Sequence, residues 1–198
     1  MPKIVDHDRR RLEVVEAACE IIARQGLDRT TLRDVAAEAG FSNGALKPYF
    51  PTKADLMQST FTYVFQRTND RVTSAVAHLS GMAALRAFAR EVLPLDGVRL
   101  DEARVVVFFW QAAMHNAEHA AINDAAMLEW RRSIRGWLDE ACAAGELSSA
   151  FPVNTIAETL LNFLLGAQIS AVLDGNANTP LHLEDQLDAH LRLVSAWN

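Results

Sequence analysis

Apolar positions recur with helical spacing along almost the whole chain. From Leu12 they fall at 12, 15, 18, 19, 22 and 23, and Gly26 closes that helix as a C-terminal cap does. Thr31 and Asp34 form a T-x-x-D capping box that opens a short helix with Leu32, Val35, Ala36 and Ala39 inward. Gly40 supplies a tight turn and Ser42 caps the start of a second short helix. Pro51 breaks the chain, and Thr52 with Asp55 makes a second capping box for a long helix through about residue 79. Further helices are predicted over 82–93, 102–115, 120–144, 154–173 and 184–197. The run Val-Val-Val-Phe-Phe-Trp at 105–110 has β propensity, but no hairpin turn flanks it, so it is read as helix.

Composition narrows the class. The chain has 198 residues, half of them apolar, enough to bury a core. Cys19 and Cys142 stand far apart with no C-x-x-C, so neither a disulfide framework nor a zinc knuckle is expected. No charged-then-apolar leader opens the chain, and the apolar stretches 105–114 and 156–173 read as too short or too interrupted to span a bilayer. A soluble cytoplasmic protein without a membrane partner is the expectation. The net charge is −6, unevenly spread. Residues 1–53 hold nine Lys and Arg against eight Asp and Glu; the remainder holds ten against seventeen. A near-neutral head carrying Arg9, Arg10 and Arg11 on an acidic body suggests that the head meets an anionic partner.

The stretch 31–50 has the parts of a helix-turn-helix. Leu46 and Phe50, four apart, anchor its second helix and leave Ser42, Asn43, Ala45, Lys47 and Tyr49 facing outward. An exposed helix start suits phosphate, and side chains near it reach base edges in a major groove. Lys53 is placed for a backbone phosphate, and the arginine triplet either follows a DNA backbone or is a solvated helix start. Residues 11–26, then Thr30-Thr31-Leu-Arg-Asp-Val-Ala36, Gly44 to Phe50 and Pro51-Thr-Lys53, resemble the DNA-binding domain of TetR-family transcriptional regulators over about a quarter of the chain. The resemblance implies an all-α homodimer, with a three-helix helix-turn-helix domain at 1–53 and a helical ligand-binding and dimerisation domain at 54–198. It implies a body that releases a palindromic double-stranded operator when a small-molecule effector occupies it. By the family's pattern Thr31, Tyr49 and Lys53 contact phosphates, while Asn43, Gly44, Ala45 and Lys47 lie on or near base edges. The stretch 104–115, above all Phe109-Trp110-Gln-Ala-Ala-Met114-His115, resembles the BetI-like subgroup. Two departures stand out. Lys47 replaces a usual aromatic, and Pro48, past the first helical turn, lacks the N–H that would bond the preceding turn. The second helix should therefore kink or end early.

In the body, 154–173 is apolar on several faces, so it needs cover on both sides. Leu160 and Leu164, with Leu187, Leu191 and Val194 of the last helix, are expected in a four-helix dimer interface. Phe61, Phe65, Trp110, Met114, Trp130 and Phe163 are the expected cavity lining, with His78, His115, Asn162 or Gln168 as polar handles. Aromatic faces suit a cation, an oily cavity an acyl or aromatic compound; the residues leave this open. One pattern points elsewhere. His115, Glu118 and His119 fit H-x-x-E-H, the spacing of some zinc peptidases, so a metal-dependent hydrolase is the alternative reading. A third is a helical module that binds only proteins. No P-loop, G-x-S-x-G or dinucleotide fingerprint appears, and no cofactor is expected.

Overall fold

The computed structural model describes residues 7–42 and 44–196. Among these the chain forms eight helices and no strand: α1 (His7–Gln25), α2 (Leu32–Glu38), α3 (Lys53–Val76), α4 (Gly81–Val92), α5 (Gly97–Ala113), α6 (Ala117–Ala143), α7 (Val153–Leu173) and α8 (Pro180–Ser195). The proposed Asn43 contact and the expected last turn of the final helix at Trp197 lie outside the described residues.

Local chemistry sets most boundaries. Thr31 accepts from the Asp34 N–H and Asp34 accepts from the Thr31 N–H, and Thr52 and Asp55 repeat the pattern, so both capping boxes form. The Thr31 hydroxyl, foremost, and its backbone N–H hold the Asp34 carboxyl below the usual carboxylate range. Gly26, at φ +82°, turns the chain out of α1. α5 begins five residues earlier than the apolar pattern shows, because Asp96 accepts from the Arg99 N–H at 2.8 Å and caps a first turn that carries few core residues. α8 likewise starts early, at Pro180 behind the capping Thr179.

α1, α2 and the first turns of α3 make the head; α3 continues without a break into the body. There α3 packs on α4 and α5, α6 on α4, α5 and α7, and α8 closes over α4 and α7. α5 touches α1, α3, α6 and α7. The buried face of α1 is Val14, Val15, Ala17, Ala18, Ile21 and Ile22. Leu12, the first residue of the apolar pattern, is exposed, in an open groove between α1 and α3. One hydrophobic cluster runs from Val14 to Val194, with Phe61 stacked on Phe109 at 3.9 Å between centroids at its middle.

Two expectations about α7 and α8 change. By length and composition α7 is able to cross a bilayer, contrary to the reading of its interrupted sequence. Here it lies in the bundle with eight residues buried, as a core helix does. The five expected dimer residues, Leu160, Leu164, Leu187, Leu191 and Val194, are all buried within the single chain, so they are not available to a partner. The α7 face turned to solvent is offset by half a turn and carries Asn162, Ile169 and Leu173, with Leu165 half-buried at its edge. Thr52→Ala removes the hydroxyl that accepts from the Asp55 N–H and donates to the Asp55 carboxylate at the start of the helix that joins head to body. It should lower the unfolding free energy by about 1 kcal/mol, read as a lower urea midpoint at unchanged m value.

Candidate nucleic-acid interface and internal cavity

The reader is held from beneath. Gly40, at φ +73°, turns the chain after α2, and the Phe41 N–H donates to the Ala36 carbonyl at 2.7 Å. Leu46 and Phe50 are buried in the head as expected. The segment between them is not the short helix the spacing predicts. It is a series of turns: Ala45 N–H donates to Ser42 O, and Tyr49 and Phe50 N–H both donate to Leu46 O. Pro48 has no N–H to give Gly44, so the helical ladder cannot run through it. Ser42, Gly44 and Lys47 are exposed, while Ala45 and Tyr49 are half-buried, with Tyr49 against the His7 ring at 5.6 Å. A side chain at Gly44 would meet nothing of the protein within 4 Å.

Arginines staple this surface together. Arg11 lies 4.7 Å over the Phe50 ring and donates to the Tyr49 carbonyl and to Ser59 Oγ. Arg10 lies 5.7 Å over Phe41, and Arg9 pairs with Glu13. The triplet therefore lies in the first two turns of α1, with Arg9 and Arg11 exposed to solvent. Thr31 and Lys53 both stand exposed on the same head. Thr31 is engaged in its cap, and Lys53 Nζ donates to the Leu27 carbonyl at 2.6 Å, tying α3 to the α1–α2 loop.

Between α3, α4, α5, α6 and α7 lies an enclosed cavity. Phe61, Phe65, Trp110 and Trp130, four of the six expected residues, line it with Val106, Met127, Glu91, Arg99, Glu102 and Gln168. Its free volume is about 20 Å³, room for about one water. Trp130 packs on Phe65 at 5.3 Å and donates from Nε1 to Asn69 Oδ1 at 2.8 Å. Met114 is not in it: it ends α5 and is exposed, beside a surface groove shared with Trp110 and Asn123. Phe163 stacks instead on His190 of α8. Of the polar handles only Gln168 reaches the cavity; His78, His115 and Asn162 are exposed.

Sequence reasoning missed the ion network at the cavity wall. Arg71 donates to both Glu102 oxygens, at 3.0 and 2.7 Å, and to Glu91 at 3.1 Å, with Arg67 and Arg99 flanking at 3.6 Å. Burial works against the Arg71 charge, but the bonds to Glu102 and Glu91 outweigh it and hold its pKa above the ordinary guanidinium value. The partners stand 20 and 31 residues from Arg71, beyond the reach of any local pattern. Charged residues interrupting apolar faces at 71, 91 and 102 were the one available signal.

On its other side α5 abuts the head. A Cβ at Gly26 would stand 3.3 Å from Phe108 Cζ, and Cys19 lies in the cleft between α1, α3 and α5. Burial pushes the Cys19 thiol up to about 12. The H-x-x-E-H pattern does not assemble. Asn116 caps α6 between the two histidines, accepting from the Glu118 and His119 N–H groups, so His115 precedes the helix and stays exposed while His119 is buried against Phe109. Among the described residues no group of three or more His, Cys, Asp or Glu is placed to hold a metal.

Comparison with known proteins agrees with this architecture. Residues 14–60 match the model of bacterial regulatory proteins of the tetR family, and residues 81–195 match that of BetI-type transcriptional repressors, C-terminal part. The chain is 28% identical over 175 residues to the HTH-type transcriptional regulator PksA of Bacillus subtilis, covering 88% of this chain and 84% of that one. It is 27% identical over 121 residues to the regulator BetI of Yersinia pestis, covering 60% and 61%. A regulator from Saccharomonospora viridis, solved in complex with choline, superposes with a TM-score of 0.87 at 20% identity, over 94% of this chain and 97% of that one. AibR, solved with isovaleryl coenzyme A and operator DNA, gives 0.69 at 18% identity, over 90% and 95%. The head and more than half of the chain are thus accounted for by one lineage: this chain belongs to the TetR family of DNA-binding transcriptional regulators, with a BetI-type C-terminal body.

Proposed function

We propose that the protein is a cytoplasmic repressor that holds a palindromic operator as a homodimer and releases it when a compact organic cation enters the internal cavity. Residues 1–53 are the reader and 54–198 the sensing and dimerisation body. The observation that carries this reading is the two-sidedness of α5. Arg99, Ala103, Val106 and Trp110 face the cavity, while Val98, Asp101 and Val105 face the cleft against α1 and Phe108 meets Gly26. A cavity with room for one water must widen to admit a ligand, and widening it moves the helix that the head rests on. α3 is displaced at the same time, since Phe61, Phe65 and Thr68 line the cavity, Arg71 pairs with Glu91 and Glu102 of its wall, and Lys53 stands at the reader.

The effector chemistry follows from the walls. Phe65, Trp110 and Trp130 offer ring faces, and Glu91 and Glu102 offer carboxylates that Arg71 bridges, with Arg67 and Arg99 flanking them at 3.6 Å. An entering cation takes over part of that role and loosens Arg71, which is on α3. The choline carried by the Saccharomonospora relative supports the class. The dimer would use the α7 stripe of Ile169 and Leu173, closed up over Gly166, whose Cβ position is open. Leu181 and Leu193 of α8, both exposed, flank it.

On DNA, Thr31, Tyr49 and Lys53 take phosphates, with Lys53 exchanging its bond to the Leu27 carbonyl for one to the duplex. Ser42, Gly44, Ala45 and Lys47 face the groove, and Asn43, outside the described residues, is the fifth candidate for a base contact. Fluorescence anisotropy on a selected operator and on random duplex should show affinity falling steeply with salt. Lys53→Ala should weaken both duplexes alike, whereas Lys47→Ala should change their ratio; equal loss on both would move Lys47 to the phosphate backbone. Leu173→Glu should convert the dimer to a folded monomer in sedimentation equilibrium and reduce operator affinity by at least tenfold. A wild-type monomer that binds no duplex at low salt would overturn the reading.

A further inference from the structure

Leu46 and Phe50 sink the reader into the head, but burial has no direction. Two apolar anchors fix the depth of a segment and leave it able to rock about the line between them. A helical ladder would remove that freedom. Pro48 interrupts it, and the Tyr49 and Phe50 N–H groups converge instead on one acceptor, the Leu46 carbonyl, at 2.9 and 2.8 Å. Among the described residues the Tyr49 carbonyl receives no backbone donor. Its donor is Arg11 of α1, whose Nη1 stands 3.3 Å away. The same guanidinium donates from Nη2 to Ser59 Oγ of α3 at 2.8 Å and lies 4.7 Å over the Phe50 ring. One planar fork thus ties α1, the reader and α3 together. Arg11 is exposed and forms no ion pair among the described residues, so a direct contact to a DNA phosphate is the rival role for its charge.

We infer that Arg11 is a positioning residue for sequence reading: by holding the Tyr49 backbone and the Phe50 ring it sets the tilt at which Lys47 meets the base edges, and it takes no phosphate itself. This rests on the assignment of 42–50 as the DNA reader. Lys47 stands two residues from the tethered carbonyl, with the fixed φ of Pro48 between them, so rotation of the Tyr49 peptide passes on to Lys47. A phosphate contact tolerates such a rotation, because a long side chain re-aims at a point charge. A hydrogen bond to a base edge weakens steeply with misalignment. Loss of the tie therefore costs specific binding more than non-specific binding. Lysine does not replace it, since an ammonium on a flexible stem cannot lie over Phe50 and serve two acceptors as a rigid fork does.

The test uses the full-length protein, a duplex enriched by the wild type from random sequence, and an unselected duplex, titrated by fluorescence anisotropy over a range of salt. Arg11→Gln and Arg11→Lys should each lower the ratio of the two affinities by about tenfold. Both should keep the wild-type salt slope on the unselected duplex. Ser59→Ala, which removes the 2.8 Å bond and leaves the guanidinium over Phe50, should lower the ratio in the same direction by about threefold. Two results overturn the inference while the reader assignment stands. If Arg11→Lys matches the wild type and Arg11→Gln flattens the salt slope by about one, Arg11 is a phosphate contact. If Arg11→Gln weakens both duplexes by one factor and lowers the melting temperature, Arg11 only holds the head together. Should both Arg11 variants be unfolded at the assay temperature, Ser59→Ala decides, and an unchanged ratio in it overturns the inference. Failure of the wild type to enrich any sequence removes the reader assignment, and this inference with it.

Discussion

Two carboxylates, Glu91 of α4 and Glu102 of α5, turn toward the interior of the body and share the guanidinium of Arg71 on α3. Removing one partner of such a group strands the others in a poorly solvated place, which is why the three helices keep their mutual distances. The knot joins α3, α4 and α5 at one wall of the cavity. The aromatic cluster of Phe61, Phe65, Phe109 and Trp130 packs beneath it, the cavity opens beside it, and Arg67 extends it toward the cleft under the head. A charged knot also gives the bundle a place where a small charged molecule can alter the balance of forces.

The head was readable in its sequence because its structure is local. Thr31 with Asp34, Thr52 with Asp55, and Gly26 each act within a few residues, and each does what its type and spacing dictate. Leu46 and Phe50 anchor the reader as their four-residue separation requires. The spacing alone made the segment between them a helix; Pro48 marked the departure, and the turns follow from its missing N–H. The match to a known family rested on these same residues, and it was the family that supplied the function.

The body was harder because its decisive relations are long-range. α7 is apolar nearly all round, so periodicity could not say which leucines turn inward. The bundle takes Leu160 and Leu164 and leaves Ile169 and Leu173 outside. Phe61, Phe65, Trp110 and Trp130 line the internal cavity because large aromatics have to pack somewhere central. Met114 was misplaced because α5 ends there, and Phe163 because α8 supplies His190 to cover it. The H-x-x-E-H spacing illustrates the converse. A pattern that requires one unbroken helix means little once an asparagine cap divides it.

α3 runs without interruption from Lys53 to Val76, with Arg71 near its far end. From Lys53 to Arg71 a straight helix measures about 27 Å, at 1.5 Å per residue. A tilt of about 5° pivoting near Arg71 therefore sweeps the Lys53 end through roughly 2 Å, most of the reach of a hydrogen bond. In a pair of such subunits the two sweeps combine in the gap between the readers. In the proposed dimer such a shaft would convert an adjustment smaller than a methyl group into a change of spacing between the two readers.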